Sequence, residues 1–224
     1  MSRRSLTTVA ARRSRGTTDA RCGLPADWTG NARVFVPQGY EPGYDYPLLV
    51  WLPGASGRFD LGRVMTRLSL RNYLAVQPAG TGAALWRAID RVRDRLSVHP
   101  RRIWLVGQGS GGTEALRIAC RHAGEFAGGI SLGGQFPLGE SVLARLDEIR
   151  TLPLLLCCRG ADIAADPDPL DRTLRLFHAA GGTLAVRIYQ RGGPLSRPVL
   201  ADVNRWLMDE LNARTIPLQP HGAH

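Results

Sequence analysis

Between residues 31 and 190, short apolar runs rich in Val, Ile, Leu and Trp alternate with longer segments whose apolar residues recur at helical spacing. This alternation predicts an α/β domain, a sheet whose strands are joined by crossover helices. Seven strands are expected, at 32–36, 47–52, 73–77, 102–106, 129–132, 152–158 and 183–190. The later runs, such as Leu152-Pro153-Leu154-Leu155-Leu156, are nearly continuous in apolar residues, the pattern of parallel strands covered on both faces. Helices are expected over about 84–97, 111–123, 139–149, 168–180 and 196–213. Ala84, Ala88, Ile89, Val92 and Leu96 form a core-facing stripe in the first, and Val199, Val203, Trp206, Leu207 and Leu211 do so in the last. No internal repeat and no Pro/Gly/Ser linker divides the body, so one domain is expected over 22–213, with an arm at 1–21 and a tail at 214–224.

Composition narrows the class without changing the fold. The 224 residues suit one domain, and 44% hydrophobic with 21% charged residues excludes wholesale disorder and a fibrous architecture. No apolar run approaches the roughly 20 residues of a membrane span. The formal charge of +10 comes entirely from arginine, with no lysine in the chain, and reads as a compositional habit. Arg3, Arg4, Arg12, Arg13, Arg15 and Arg21 against Asp19 alone place half of the excess in the arm. The body has mixed-sign sequence and no basic stripe interleaved with aromatics, which disfavours nucleic acid as a partner. Ser2-Arg3-Arg4-Ser5-Leu6 resembles a twin-arginine signal, but no apolar stretch follows and a cytoplasmic location is expected. Cys22, Cys120, Cys157 and Cys158 lack metal-binding or redox spacing, and the adjacent pair would face opposite sides of a strand. They read as buried thiols, with neither metal nor cofactor expected.

The richest stretch is Ile103-Trp104-Leu105-Val106-Gly107-Gln108-Gly109-Ser110-Gly111-Gly112-Thr113, a buried strand entering a glycine-rich turn and then a helix. Three chemistries use such a turn. Gly107, Gly109 and Gly112 satisfy the dinucleotide pattern G-x-G-x-x-G, but on about the fourth strand, and Ser131-Leu132-Gly133-Gly134-Gln135 after the next strand offers no acid for a ribose. A nucleophile elbow lifts a side chain above the sheet at such a turn. Binding without turnover would use the free N–H groups at the helix start, with Pro53, Gly54, Ala55 and Ser56 as the opposite lip.

Over about residues 32–211 the chain resembles the phospholipase/carboxylesterase branch of the α/β-hydrolase fold, which includes acyl-protein thioesterases. The resemblance is carried by Pro47-Leu48-Leu49-Val50-Trp51-Leu52-Pro53-Gly54, by Ser69-Leu70-Arg71-Asn72-Tyr73-Leu74-Ala75-Val76, by Val98-His99-Pro100-Arg101-Arg102-Ile103 before the turn, and by Phe126-Ala127-Gly128-Gly129-Ile130-Ser131-Leu132-Gly133-Gly134 after it. It implies a single-domain α/β-hydrolase with a mainly parallel sheet, an oxyanion pocket near Pro53, Gly54, Ala55 and the Ser110 N–H, and a triad. The family's turn reads G-x-S-x-G-G. Aligning its glycines on Gly107, Gly111 and Gly112 puts Gly109 at the nucleophile and leaves Ser110 one place late. Asp162, with Asp166 and Asp168 nearby, falls near the family's acid. The base belongs in Tyr189-Gln190-Arg191-Gly192-Gly193-Pro194-Leu195-Ser196, which has no histidine and offers Gly193 in its place. Of His99, His122, His178, His221 and His224, only the last two preserve the chain order serine, acid, base.

Two readings follow. One is a catalytically impaired hydrolase-fold protein that keeps a cleft for a small ester, acyl or anionic ligand. The other is an active carboxylesterase or thioesterase using Ser110 and Asp162 with an unidentified base.

Overall fold

The computed structural model describes residues 32–55, 59–139 and 145–213. The arm at 1–21, Cys22, Ser56, His221, His224 and the segment 214–224 lie outside the described residues. All seven expected strands form: β1 (Arg33–Phe35), β2 (Tyr46–Leu52), β3 (Leu74–Gln77), β4 (Val98–Gln108), β5 (Gly128–Leu132), β6 (Leu154–Arg159) and β7 (Ala185–Tyr189). They make one sheet in the order β1-β3-β2-β4-β5-β6-β7. Only β1 is antiparallel to its neighbour, so the carboxyl ends of the other six share one edge.

The continuous apolar runs are explained by burial on both faces. In β2, Leu48, Val50 and Leu52 enter one core while Leu49 and Trp51 enter the other. β4 divides the same way, Ile103 and Leu105 against Trp104 and Val106. Helices α2 (Ala83–Arg93), α3 (Ser110–Arg121) and α6 (Asp168–Ala180) cover the first face, with α4 (Leu146–Ile149) beside them. α1 (Leu61–Leu68) and α7 (Arg197–Ala213) cover the second. The α7 stripe is buried as expected, and Trp206 meets Trp104 edge to face at 5.5 Å. α5 (Gly160–Ala165) stands at the carboxyl edge, directly after β6.

Several boundaries differ from the sequence expectation. The helix expected over 139–149 is present as Leu146–Ile149, with Gly139 in a bend and 140–144 outside the described residues. Pro137 has no N–H to give a helix, and the Leu138 N–H turns back to the Phe136 carbonyl. The helix expected to reach 97 stops at Arg93, because the Ser97 carbonyl is taken by the Tyr46 N–H and Val98 already pairs with β2. α1 and α5 were not expected. α1 has its own signals, an Asp60 N-cap accepting the Arg63 N–H at 3.0 Å and a buried stripe of Leu61, Val64, Met65 and Leu68. Cys157 and Cys158 do face opposite sides, Cys157 buried under α7 and Cys158 half-buried against the other core. Among the described residues no helix is long and apolar enough to cross a membrane.

Candidate functional site

The glycine-rich turn joins β4 to α3 where the strand order reverses, since the chain moves from β2 outward to β3 and then returns to β4 on the other side of β2. Open α/β sheets bind ligands beyond the strand carboxyl ends at such a switch point. At the apex Gly109 has φ +55° and ψ −125°, a conformation that a Cβ strongly disfavours. Its N–H donates to the Leu132 carbonyl at 2.9 Å, and its own carbonyl accepts from Gly112 at 2.9 Å and Thr113 at 3.2 Å. The apex is therefore tied to β5 on one side and to the first turn of α3 on the other.

The glycines around it serve different ends. A Cβ on Gly107 would fall on the Gly111 carbonyl, one on Gly111 on the Leu52 carbonyl, and one on Gly112 at 2.5 Å from the Ser131 hydroxyl. These three let α3 pack directly onto β2, β4 and β5. A Cβ on Gly54 would lie 2.7 Å from the Gln108 carbonyl, and one on Gly134 would fall on the Gly109 carbonyl. A Cβ on Gly109 would meet nothing within 4 Å. The apex position thus projects into open space while its neighbours are closed by backbone.

Ser110 is the first residue of α3 and is exposed. Its hydroxyl accepts the Ala55 N–H at 3.1 Å. Between Pro53, Gly54 and Ala55 and the helix start, the Ala55 N–H is thereby held by the chain itself. The Ser110 and Gly111 N–H groups are the first two of the helix and have no carbonyl a turn earlier within the helix to reach.

Asp162 lies in the first turn of α5 and is bound in two places by Arg159, Nε to Oδ2 at 2.8 Å and Nη2 to Oδ1 at 2.5 Å. Those hydrogen bonds and the guanidinium charge hold its carboxyl below the usual range. Among the described residues no histidine faces it. Asp166 is the C-cap of α5, and Asp168 begins α6, where it pairs with Arg172.

The loop after β7 reaches the flank of the turn. Pro194 Cβ lies 3.4 Å from where a Cβ on Gly133 would stand, and Gly134 touches the Gly109 carbonyl. Gly193 has open space around its Cβ direction, and its carbonyl accepts the Ser196 N–H at 3.0 Å. Gly193 thus belongs to a loop whose Pro194 packs on Gly133, next to the segment that abuts the apex carbonyl. His99 is at the start of β4, at the opposite end of the strand from Gly109. Its Nδ1 accepts the Arg101 N–H at 3.2 Å, and burial with the nearby Arg102 lowers its pKa. His122 caps the far end of α3 against Trp86, and His178 lies in the last turn of α6. Among the described residues no imidazole approaches the turn.

Beside the turn is a cavity of about 150 Å³, lined by Gly134, Phe136, Leu156, Cys158, Asp162 and Leu170 among others. Its apolar floor lies against the first core, and the Arg159–Asp162 pair stands at its rim. Sequence reasoning did not find this cavity or the clamp in which the Gln135 N–H donates to the Thr113 hydroxyl at 3.0 Å. The arginine three residues before Asp162 was the available signal for the ion pair. No group of three or more His, Cys, Asp or Glu among the described residues is placed to hold a metal ion.

No protein-family model matches the sequence, and no curated protein sequence matches it. Solved structures do. A thermostable esterase is similar over 80% of this chain with a TM-score of 0.62 and 17% identity, and the chain spans 58% of that protein's length. A ferulic acid esterase gives 0.61 and 13% over 80% of this chain and 91% of its own. A carboxylesterase from Bacillus cereus gives 0.57 and 11% over 80% and 93%. The fold defined by the sheet order, the elbow and these likenesses is that of the α/β-hydrolases.

Proposed function

We propose that the chain is an α/β-hydrolase-fold protein of the phospholipase/carboxylesterase type that binds a small ester, acyl or anionic ligand at the turn without serine-hydrolase turnover. The observation that carries this reading is Gly109. It holds the strained apex conformation of an elbow and faces open space where a nucleophile would project, yet it has no side chain. The neighbouring residues support it, since the Ser110 hydroxyl accepts from Ala55 with no imidazole beside it among the described residues, Asp162 is paired with Arg159, and Gly193 supplies no base. Triad members act as a unit, and losing the nucleophile or the base alone removes on the order of 10⁶ in rate. What such a site retains is binding and backbone N–H polarisation.

Fluorophosphonate labelling of the purified protein, with mass-spectrometric mapping, tests the reading because it reports an activated serine whatever the substrate. The expected result is no adduct beside a reacting control esterase. An adduct on Ser110 would overturn the proposal and establish the active-esterase reading. The double variant Gly109→Ser with Gly193→His is expected to gain reactivity that the parent lacks, with the adduct on residue 109.

A further inference from the structure

On the proposed reading of the turn as a binding site, the cavity beside it sets what kind of body the ligand carries. The two are contiguous, since Gly134 lines the cavity and a Cβ on it would fall on the Gly109 carbonyl at the apex. Phe136, Leu156 and Thr173 are buried side chains of the lining, and the Thr173 hydroxyl already donates to the Pro169 carbonyl at 2.7 Å. With Ile163 from α5 and Leu170 from α6 they give a lining that is more apolar than polar. The volume, about 150 Å³, is half or less of an ordinary small-molecule site. An apolar cavity of about that size holds one benzene ring.

The charges on the lining disfavour an anion there. Arg159 is its guanidinium, and Asp162 holds it in two places, Nε at 2.8 Å and Nη2 at 2.5 Å. Asp166 adds a second carboxylate, so the lining is negative by one charge. The Cys158 thiol stays protonated near neutral pH, its pKa raised by burial first and then by Asp162. We infer that the cavity takes the uncharged single ring of a small aryl ligand, an aryl ester or amide rather than a free carboxylate. Of the ester, acyl and anionic ligands open to the turn, this selects a neutral carbonyl compound with a ring-sized body.

The test is titration of the full chain with benzamide, a neutral ring compound that resists hydrolysis, read by amide chemical shifts and by maleimide labelling of Cys158. Benzoate, the same ring with a negative charge, and acetamide, the same amide without the ring, are the controls on the unaltered protein. Benzamide is expected to saturate below about 10 mM, with shifts centred on Gly134, Phe136, Cys158 and Leu170. At about four times its Kd it should slow Cys158 labelling about fivefold, because only the unliganded fraction reacts. Benzoate is expected to bind at least about threefold more weakly, and acetamide not to saturate in this range. Ile163→Trp and Cys158→Leu add bulk from α5 and from β6, and each should remove saturable benzamide binding while amide shift dispersion shows the fold intact. Absence of saturable benzamide binding, benzoate or acetamide binding as tightly, shifts centred away from the cavity, or unslowed Cys158 labelling would each overturn the inference. A fluorophosphonate adduct on Ser110 would instead overturn the reading of the turn and leave ring binding measurable, so the two failures are distinguishable.

Discussion

The hydroxyl of Ser110 accepts the backbone N–H of Ala55 at 3.1 Å, which joins the start of α3 to the loop after β2 across the mouth of the candidate site. A nucleophilic serine donates its O–H to a base; this one accepts from the backbone, and among the described residues no imidazole stands near it to take the proton. Ser110→Ala should therefore behave as the loss of one exposed hydrogen bond. Urea denaturation is expected to show a decrease of about 0.5–1 kcal/mol, toward the low end for a neutral pair, with ester turnover at the same background as the parent. A collapse of measurable turnover with unchanged stability would identify Ser110 as catalytic.

The glycines of the turn should separate by mechanism. Gly109→Ala meets no atom, so its cost is conformational alone, about 1–3 kcal/mol for a side chain held at φ +55°. Gly111→Ala drives a methyl into the Leu52 carbonyl, a backbone atom that cannot yield, and should cost more than Gly109→Ala or prevent folding. Gly193→Ala meets neither a clash nor a positive φ and is expected within about 0.5 kcal/mol of the parent. Thermal and urea unfolding of the three variants gives the order directly. Equal costs at 109 and 193 would remove the argument that the apex is strained.

The Ser131 hydroxyl is fully buried beneath the turn, between Gly112 and Gly134, and has no hydrogen-bond partner among the described residues. An unpaired buried hydroxyl costs about 1–3 kcal/mol in desolvation. Ser131→Ala removes that cost while leaving little extra space, so the variant is expected to be as stable as the parent or more stable by up to about 1 kcal/mol. A clear loss of stability would mean that the hydroxyl has a partner in solution.

Much of this fold was legible because its signals are local. The apolar runs of β2, β4 and β6 are long enough to need two buried faces, and the α7 stripe repeats across several turns. The register that puts Gly109 at the apex follows from the spacing of Gly107, Gly111 and Gly112, each of which the packing requires. What escaped depends on strand pairing. Ser110 meets Ala55 only because β2 lies beside β4, fifty-five residues away in sequence. The cavity beside the turn needs the ends of β5 and β6 in register, with Leu132 opposite Cys157. α1 is a different case: its Asp60 cap and its stripe are in the sequence, but only eight residues long and interrupted by Gly62.

The cysteines give a chemical check on packing. Burial pushes the Cys120 and Cys157 thiols up to about 12, so little thiolate forms near neutral pH. Cys158 is half-buried beside the cavity, its pKa also raised by burial and by Asp162. Maleimide labelling of the folded protein at pH 7.5, mapped by mass spectrometry, is expected to modify Cys158 slowly and to leave Cys120 and Cys157 unmodified until denaturant is added. Rapid labelling of Cys157 would contradict its place under α7.

Acid should weaken the fold in two separable steps. His99 has a folded pKa below the ordinary 6.5, first because burial disfavours the imidazolium and then because Arg102 repels it, with Arg101 adding and Asp45 opposing. Above about pH 6.5 the ring is neutral in both states and contributes no pH dependence. As pH falls below that value the unfolded chain takes up the proton before the folded one, so stability decreases until the folded pKa is passed. Asp162 acts lower. Its folded pKa is depressed below 3.8 by Arg159, so the stability it contributes is present above that value and lost as pH falls through the folded pKa. Asp162 is exposed and His99 is only half-buried, so each step is small. Urea denaturation across pH 3–8 should show His99→Gln flattening the slope just below pH 6.5 while leaving the acid limb, and Asp162→Asn doing the reverse. If His99→Gln instead steepened the loss below pH 6.5, the imidazolium would be stabilised in the fold, and its placement among Arg101 and Arg102 would be wrong.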